Sequence, residues 1–453
     1  MNYGAHASRL HRGAQASCLH RVPRTSRPHL WILSAFILFL FSTLAFAETI
    51  AITNAKIYTL AGPVIEKGTV LMRDGKIQEV GANVQVPSDA RVIDAAGKSV
   101  FPGFIDANCH IGLSEVGLVP ATVDSSEGVD PVTPQMRVTD AFFPESFAIG
   151  VTRSNGVVAG IVSPADENVF TGMSALIEFS GKRIDEVVLK PVTALHVTMG
   201  EAPKAKYGEA NKTPSTRMGT AALIRQTLIK AKEYEEKWKR YEQQTSPKKS
   251  KEEVKTPERD MKLDAILDVL AGKIPLVVSA HRVDDILTAI RIAEEFEIKK
   301  NLVINHGTNA YKIADILARE KIPVLLGPIT TQPDSMETLG ANYESAMLLH
   351  KAGVLIAIQS NETHNARNLP YEAALAVANG LPHEEALKAI TTNVAKIFRF
   401  DQMAGTIEAG KRANVIVAEG DPLEPRTKIT HVFIGGEQIT EPTYHELLYE
   451  GIK

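Results

Sequence analysis

The stretch FPGFIDANCHIG, Phe101–Gly112, decides how the rest of the chain is read. A short apolar run leads to His110, and in a strand residues two apart point to one side. Asn108 and His110 therefore share a face, and Cys109 points to the other, where a small thiol reads as a buried hydrophobe rather than a ligand. The strand delivers one imidazole into a pocket, with a neutral amide beside it.

The same layout recurs further along. IPLVVSAHRVDDI brings His281 to the end of an apolar run, and NLVINHGTNAYKI does so for His306. These runs, with VVAGIV, ALHVTMG, IPVLLGP and GVLIAIQS, alternate with helical patterns. Buried parallel strands read as continuous apolar runs, and their alternation with helices points to a wound α/β sheet or barrel. In a barrel the C-terminal strand ends converge from distant parts of the sequence. His110, His281 and His306 then form a candidate cage for one divalent cation, zinc being the usual partner of nitrogen ligands. His196, in TALHVTMGEAP, and Asn108 are further candidates, although a satisfied core histidine is an equal reading of His196.

Both ends of the chain have a different texture. Residues 48–100 alternate as short strands, with Asp74-Gly75 as a hairpin signal. Residues 401–453 return to the same pattern in GTIEAGKRANVIVAEGDP and ITHVFIGGEQI. Between them, the charged segment near 230–262 reads as a solvated helix followed by a loop.

Residues 1–47 combine an arginine-rich lead, a long apolar run and the ending Ala45-Phe46-Ala47. That is the layout of a signal peptide cleaved before Glu48, which makes the mature protein periplasmic or secreted and free of the membrane. An uncleaved anchor is the alternative, since the apolar run is near the spanning minimum. The leader carries five arginines and no acid, so the remainder is more acidic than the whole-chain net charge of −3, which disfavours nucleic acid as a partner. Of the two cysteines, Cys18 leaves with the leader and Cys109 has no intrachain partner.

Taken in order, the β-rich start, PGFIDANCH, the strand-end His281 and His306, AIQSN and GTIEAGKRANVIVAEGDPL resemble the amidohydrolase superfamily, closest to its imidazolonepropionase-like branch. The resemblance implies a distorted TIM (β/α)8 barrel over residues 101–400, with a small β-sandwich built from residues 48–100 and 401–453. It also implies metal-activated water acting on carbon–nitrogen bonds of a small-molecule substrate, by a monomer or a homo-oligomer. The family's paired histidines fall on Asn108 and His110, its next two on His281 and His306, and its catalytic aspartate on Asn361. An aspartate of the closing sandwich falls on Asn414.

Those departures matter physically. An uncharged amide binds zinc poorly, and Asn361 has no proton to exchange with a water. General acid–base assistance is worth about 10² to 10⁴ in rate, so a site with Asn361 and His306 in the catalytic positions is expected to be impaired. His364 and Glu201 are the candidate replacement bases. Glu201, Lys204, Arg217, His364 and Arg367 lie on loops expected to meet substrate. The competing expectation is an inactive barrel that binds a ligand or a partner.

Overall fold

The computed structural model describes residues 48–245 and 255–452 except Val116, Leu118 and Lys182. The expected leader, 1–47, lies outside the described residues. Among those described, no helix is long and apolar enough to cross a membrane.

Strands β1 (Ile50–Ile57), β2 (Ile65–Arg73), β3 (Lys76–Gly81), β4 (Arg91–Asp94) and β5 (Ser99–Pro102) come from the first segment. The turn between β2 and β3 is the Asp74-Gly75 hairpin, both residues having positive φ, 52° and 73°, as a tight right-twisted hairpin requires. Eight strands then follow in chain order: β6 (Phe104–Cys109), β7 (Val157–Val162), β8 (Phe170–Glu178), β9 (Val188–Thr198), β10 (Leu276–Ala280), β11 (Leu302–His306), β12 (Val324–Leu326) and β13 (Ile356–Ile358). The last segment adds β14 (Val415–Ala418), β15 (Ile429–Ile434) and β16 (Glu437–Gln438).

The two chain ends meet in one continuous eight-stranded sheet, because β5 pairs in parallel with β1 and antiparallel with β14. Ile50, Ile52, Val70, Met72, Val415 and Phe433 form its separate core.

The other eight strands pair in sequence order from β6 to β13, a TIM-like barrel. Its seam is joined just past β13, where Asn361 N–H donates to the Asn108 carbonyl at 2.9 Å and His110 N–H to the Glu362 carbonyl at 3.0 Å. All residues of β6, β7 and β8 are buried, which is why they read as apolar runs.

One strand departs from a (β/α)8 pattern. β8 runs antiparallel to both β7 and β9. The reason is local: residues 163–169 alone connect β7 to β8, and a parallel crossover needs a dozen residues or more. The reversal carries the end of β8 to the barrel floor. There the fully buried Glu178 carboxylate is clamped by the Arg412 guanidinium and by Asn414 Nδ2 at 2.8 Å, tying barrel to terminal sheet. The expected charged helix spans Arg217–Thr245, with exposed Glu235–Lys239 and Glu236–Arg240 pairs.

Candidate active site

His110 follows the end of β6, His281 follows β10, and His306 closes β11. Register alone would turn His306 away from the axis, since it pairs with Ala280 while Asn305 pairs with Ser279. Its φ of +65° swings the ring back, an uncommon left-handed conformation for a residue with a Cβ. The conformation is held by bonds on both ring nitrogens. Nε2 meets Asp166 Oδ2 at 2.7 Å, and Nδ1 meets the Gly327 carbonyl at 3.2 Å.

Asp166 is the central carboxylate, and the sequence reading missed it. Its Oδ1 also accepts from Ser279 Oγ at 2.5 Å and from Thr198 Oγ1 at 3.2 Å. Burial opposes its ionisation, but His306, the Ser279 hydroxyl and nearby His110 together hold the carboxyl well below its usual range. Burial likewise opposes charge on His306, yet Asp166 holds that imidazole above its ordinary value. Both acceptors around the His306 ring suit the protonated form. The signal available in sequence was an acid, in SPADEN, directly after the β7 run.

His281 stacks on His306, with ring centroids 4.4 Å apart and planes 16° from parallel. Its Nδ1 meets Thr308 Oγ1 at 2.8 Å. Burial and the neighbouring His306 push its pKa down to about 3, so it is neutral near pH 7. His110 Nδ1 donates to the Ser163 carbonyl at 2.8 Å.

His110, His281 and His306 all lie at strand ends, but as they stand the His281 and His306 rings do not share one coordination sphere. An imidazole nitrogen donates within its ring plane, so two rings stacked nearly parallel cannot both aim at one ion about 2.0–2.1 Å away. Among the described residues no group of three or more His, Cys, Asp or Glu is arranged to hold a metal ion. Asn108 is also committed. Its Oδ1 accepts from the Ser163 hydroxyl, and its Nδ2 donates to Asn361 Oδ1 at 2.8 Å. The donors as arranged do not fit a divalent ion, and no chemical step is derived through one.

His196 is a satisfied core histidine: it is 1% exposed, meets Ser174 Oγ at 2.8 Å, and burial pushes its pKa down to about 4. Arg217 is not free to receive an anion. Its guanidinium reaches Glu337 at 2.8 Å, Asp285 at 3.0 Å and Glu201 at 3.5 Å. Glu337 Oε1 also accepts from Glu201 N–H at 2.9 Å. Residue 200 must be glycine here, since a Cβ would lie 2.1 Å from that oxygen and its φ is +96°. Lys204 and His364 are exposed, Arg367 is half-buried, and no described contact brings them to Asp166. Cys109 is buried and free, as its face requires.

The amidohydrolase family model matches residues 241–439. An amidohydrolase structure from Thermotoga maritima is 38% identical over 87% of this chain and all of its own, with a TM-score of 0.80. The chain belongs to the amidohydrolase superfamily. Amidohydrolase tasK of Hapsidospora irregularis is 26% identical over 83% of this superfamily member, which spans only 39% of the tasK chain. The imidazolonepropionase of Symbiobacterium thermophilum is 24% identical over 78% of this chain and 84% of its own. Family members usually use divalent metals, and against that background the paired amides of this amidohydrolase stand out.

Proposed function

We propose that this amidohydrolase hydrolyses a carbon–nitrogen bond in a small molecule, with the Asp166–His306 pair handling the proton. The observation that carries the reading is the 2.7 Å contact between Asp166 Oδ2 and His306 Nε2 at the C-terminal mouth of the barrel, where this fold class does its chemistry. A cavity of about 220 Å³ is lined by Leu113, Met136, Val138 and Pro164 together with Asp124, Glu127, Arg137 and Asp140; Pro164 lies two positions before Asp166. The cavity's mixed walls suit a compact substrate that carries both apolar and polar groups.

Water adds to the carbonyl carbon, the carbon–nitrogen bond breaks, and the leaving nitrogen takes a proton from the His306 side of the pair. The water proton returns to that pair, which ends as it began, leaving one acid and one amine. Asp166 is too strongly solvated by donors to be a potent base, and neutral His281 is a feeble one. An effective base needs a pKa near the working pH, so turnover is slow and favours bonds whose cleavage depends on protonating the leaving nitrogen. Export to the periplasm or beyond is part of this proposal, supported by the layout of residues 1–47.

A panel of N-acyl amino acids and cyclic amides, assayed with the purified protein and with Asp166→Asn, tests it. Turnover that depends on Asp166 supports the reading; no turnover by the unaltered protein sinks it. The second reading, a ligand-binding barrel without catalysis, is favoured by the Asn108–Asn361 pair. It predicts ligand-induced thermal stabilisation with no product.

A further inference from the structure

We infer that Asn361 is a hydrogen-bond donor to the carbonyl oxygen of the scissile bond, aligned by Asn108, in the place where a cation would otherwise polarise that carbonyl. The inference rests on the hydrolase reading of the same site and adds a residue with a defined contact.

The two positions that depart from the family pattern touch each other. Asn108 Nδ2 donates to Asn361 Oδ1 at 2.8 Å, and their backbones are joined by Asn361 N–H to the Asn108 carbonyl at 2.9 Å. The order of the chain is set at its inner end. The Ser163 hydroxyl donates to Asn108 Oδ1, so the Asn108 amide must turn its Nδ2 toward Asn361. Asn361 then turns its oxygen inward, and its own Nδ2 is left pointing away from Asn108. Among the described residues that nitrogen meets no acceptor, nor is it sealed as a buried orphan. Asn361 is half-buried, and its φ of +52° turns it out of the regular strand alternation where the chain leaves β13.

The chemistry follows from charge. As water adds, negative charge grows on the carbonyl oxygen, and preorganised N–H donors stabilise it. An aspartate at 361 would repel that charge; an asparagine whose oxygen is already occupied presents only its donor. Replacing both members of the pair by amides thus exchanges a cation-bridged arrangement for a neutral, directional one. Asn108 is a positioning residue, because it acts through Asn361.

Three variants test this: Asn361→Asp removes the donor, Asn361→Ser retains a shorter one, and Asn108→Asp reverses the bond. The new carboxylate at 108 accepts from Asn361, which must rotate its Nδ2 inward. Two readouts are used: kcat and KM on whichever panel amide is hydrolysed, and affinity for methylphosphonate, a tetrahedral oxyanion like the addition intermediate. Loss of one such donor is expected to lower kcat about 10²-fold. In both Asn→Asp variants that loss should come with little change in KM, and methylphosphonate binding should weaken about tenfold. Asn361→Ser should fall between, which also covers the case in which an aspartate variant fails to fold. The inference is overturned if Asn361→Asp keeps kcat and methylphosphonate affinity, or if Asn108→Asp behaves as the unaltered protein. If the unaltered protein cleaves no amide yet the variants still lose methylphosphonate, the hydrolase reading falls and the donor remains as a binding group.

Discussion

Asn108 Nδ2 and Asn361 Oδ1 lie 2.8 Å apart although 253 positions separate the residues. They meet across the seam that closes the barrel between β6 and β13. A second side-chain link lies one layer deeper, where Ser360 N–H donates to Asp106 Oδ1 at 3.0 Å and the Ser360 hydroxyl to Oδ2. The chemistry of the mouth and the closure of the ring are therefore one structural feature.

Metal content is the first consequence. Asn108 and Asn361 are neutral amides bonded to each other, and the His281 and His306 rings are stacked. The purified protein is expected to hold well under one zinc per chain by mass spectrometry of the metals. The Asn108→His, Asn361→Asp double variant is expected to hold more than either single variant. A full zinc equivalent in the unaltered protein would contradict the geometric argument.

Asp166→Asn should lower activity by about 10² to 10⁴, the usual worth of acid–base assistance. It should also lower the pKa of His306, since Asp166 is what raises it against burial. Ring-proton NMR titration reads that shift directly, and an unmoved His306 would show that the pair is not coupled.

Arg217→Leu leaves Glu201, Asp285 and Glu337 facing one another without their cation. Stranding buried charge in this way costs about 3–5 kcal/mol, read as a large fall in Tm at pH 7. Burial outweighs the Arg217 hydrogen bonds and raises the pKa of Asp285 and Glu337. Both carboxyls are protonated more readily than usual, so the loss should shrink as pH falls toward 4. Equal destabilisation at both pH values would remove the electrostatic account.

His383 Nε2 and Asp421 Oδ2 pair at 2.7 Å, with side chains 40% and 36% exposed. The hydrogen bond to Asp421 raises the pKa of His383. Burial works against ionisation of Asp421, but His383 holds it lower. The raised histidine contributes fully below about pH 6.5 and loses its contribution as pH rises through its folded value. The depressed aspartate contributes above about pH 3.8 and loses it on acidification. Pair stability is therefore greatest between these limits, and small, below about 1 kcal/mol for exposed partners. His383→Gln should flatten the pH dependence of Tm above pH 6 by that small amount; an unchanged slope would mean the pair contributes nothing.

Much of the architecture was legible because its signals are local. Continuous apolar runs marked the barrel strands, Asp74-Gly75 marked a hairpin, and strand-end positions marked His281 and His306. The direction of β8 was also written in the short link 163–169, but an apolar run looks the same in either direction. Asp166 escaped because a lone acid in a loop has no periodicity to distinguish it from a solvated one. Arg217 reads as a free cation in sequence because its three acidic partners are far apart along the chain, Glu201 and Asp285 in the first turns of two helices and Glu337 in a loop.

The sequence by itself determined the order of the elements, the family and the amide character of positions 108 and 361. These depend on spacing and side-chain type, which survive without coordinates. Only the tertiary structure decided that those two amides bond to each other, that His306 turns inward at φ +65° to meet Asp166, and that the His281 and His306 rings stack. Alternation fixes the face on which a side chain starts, whereas its partner is set by how the ring closes and by left-handed residues at the strand ends, which no local pattern encodes.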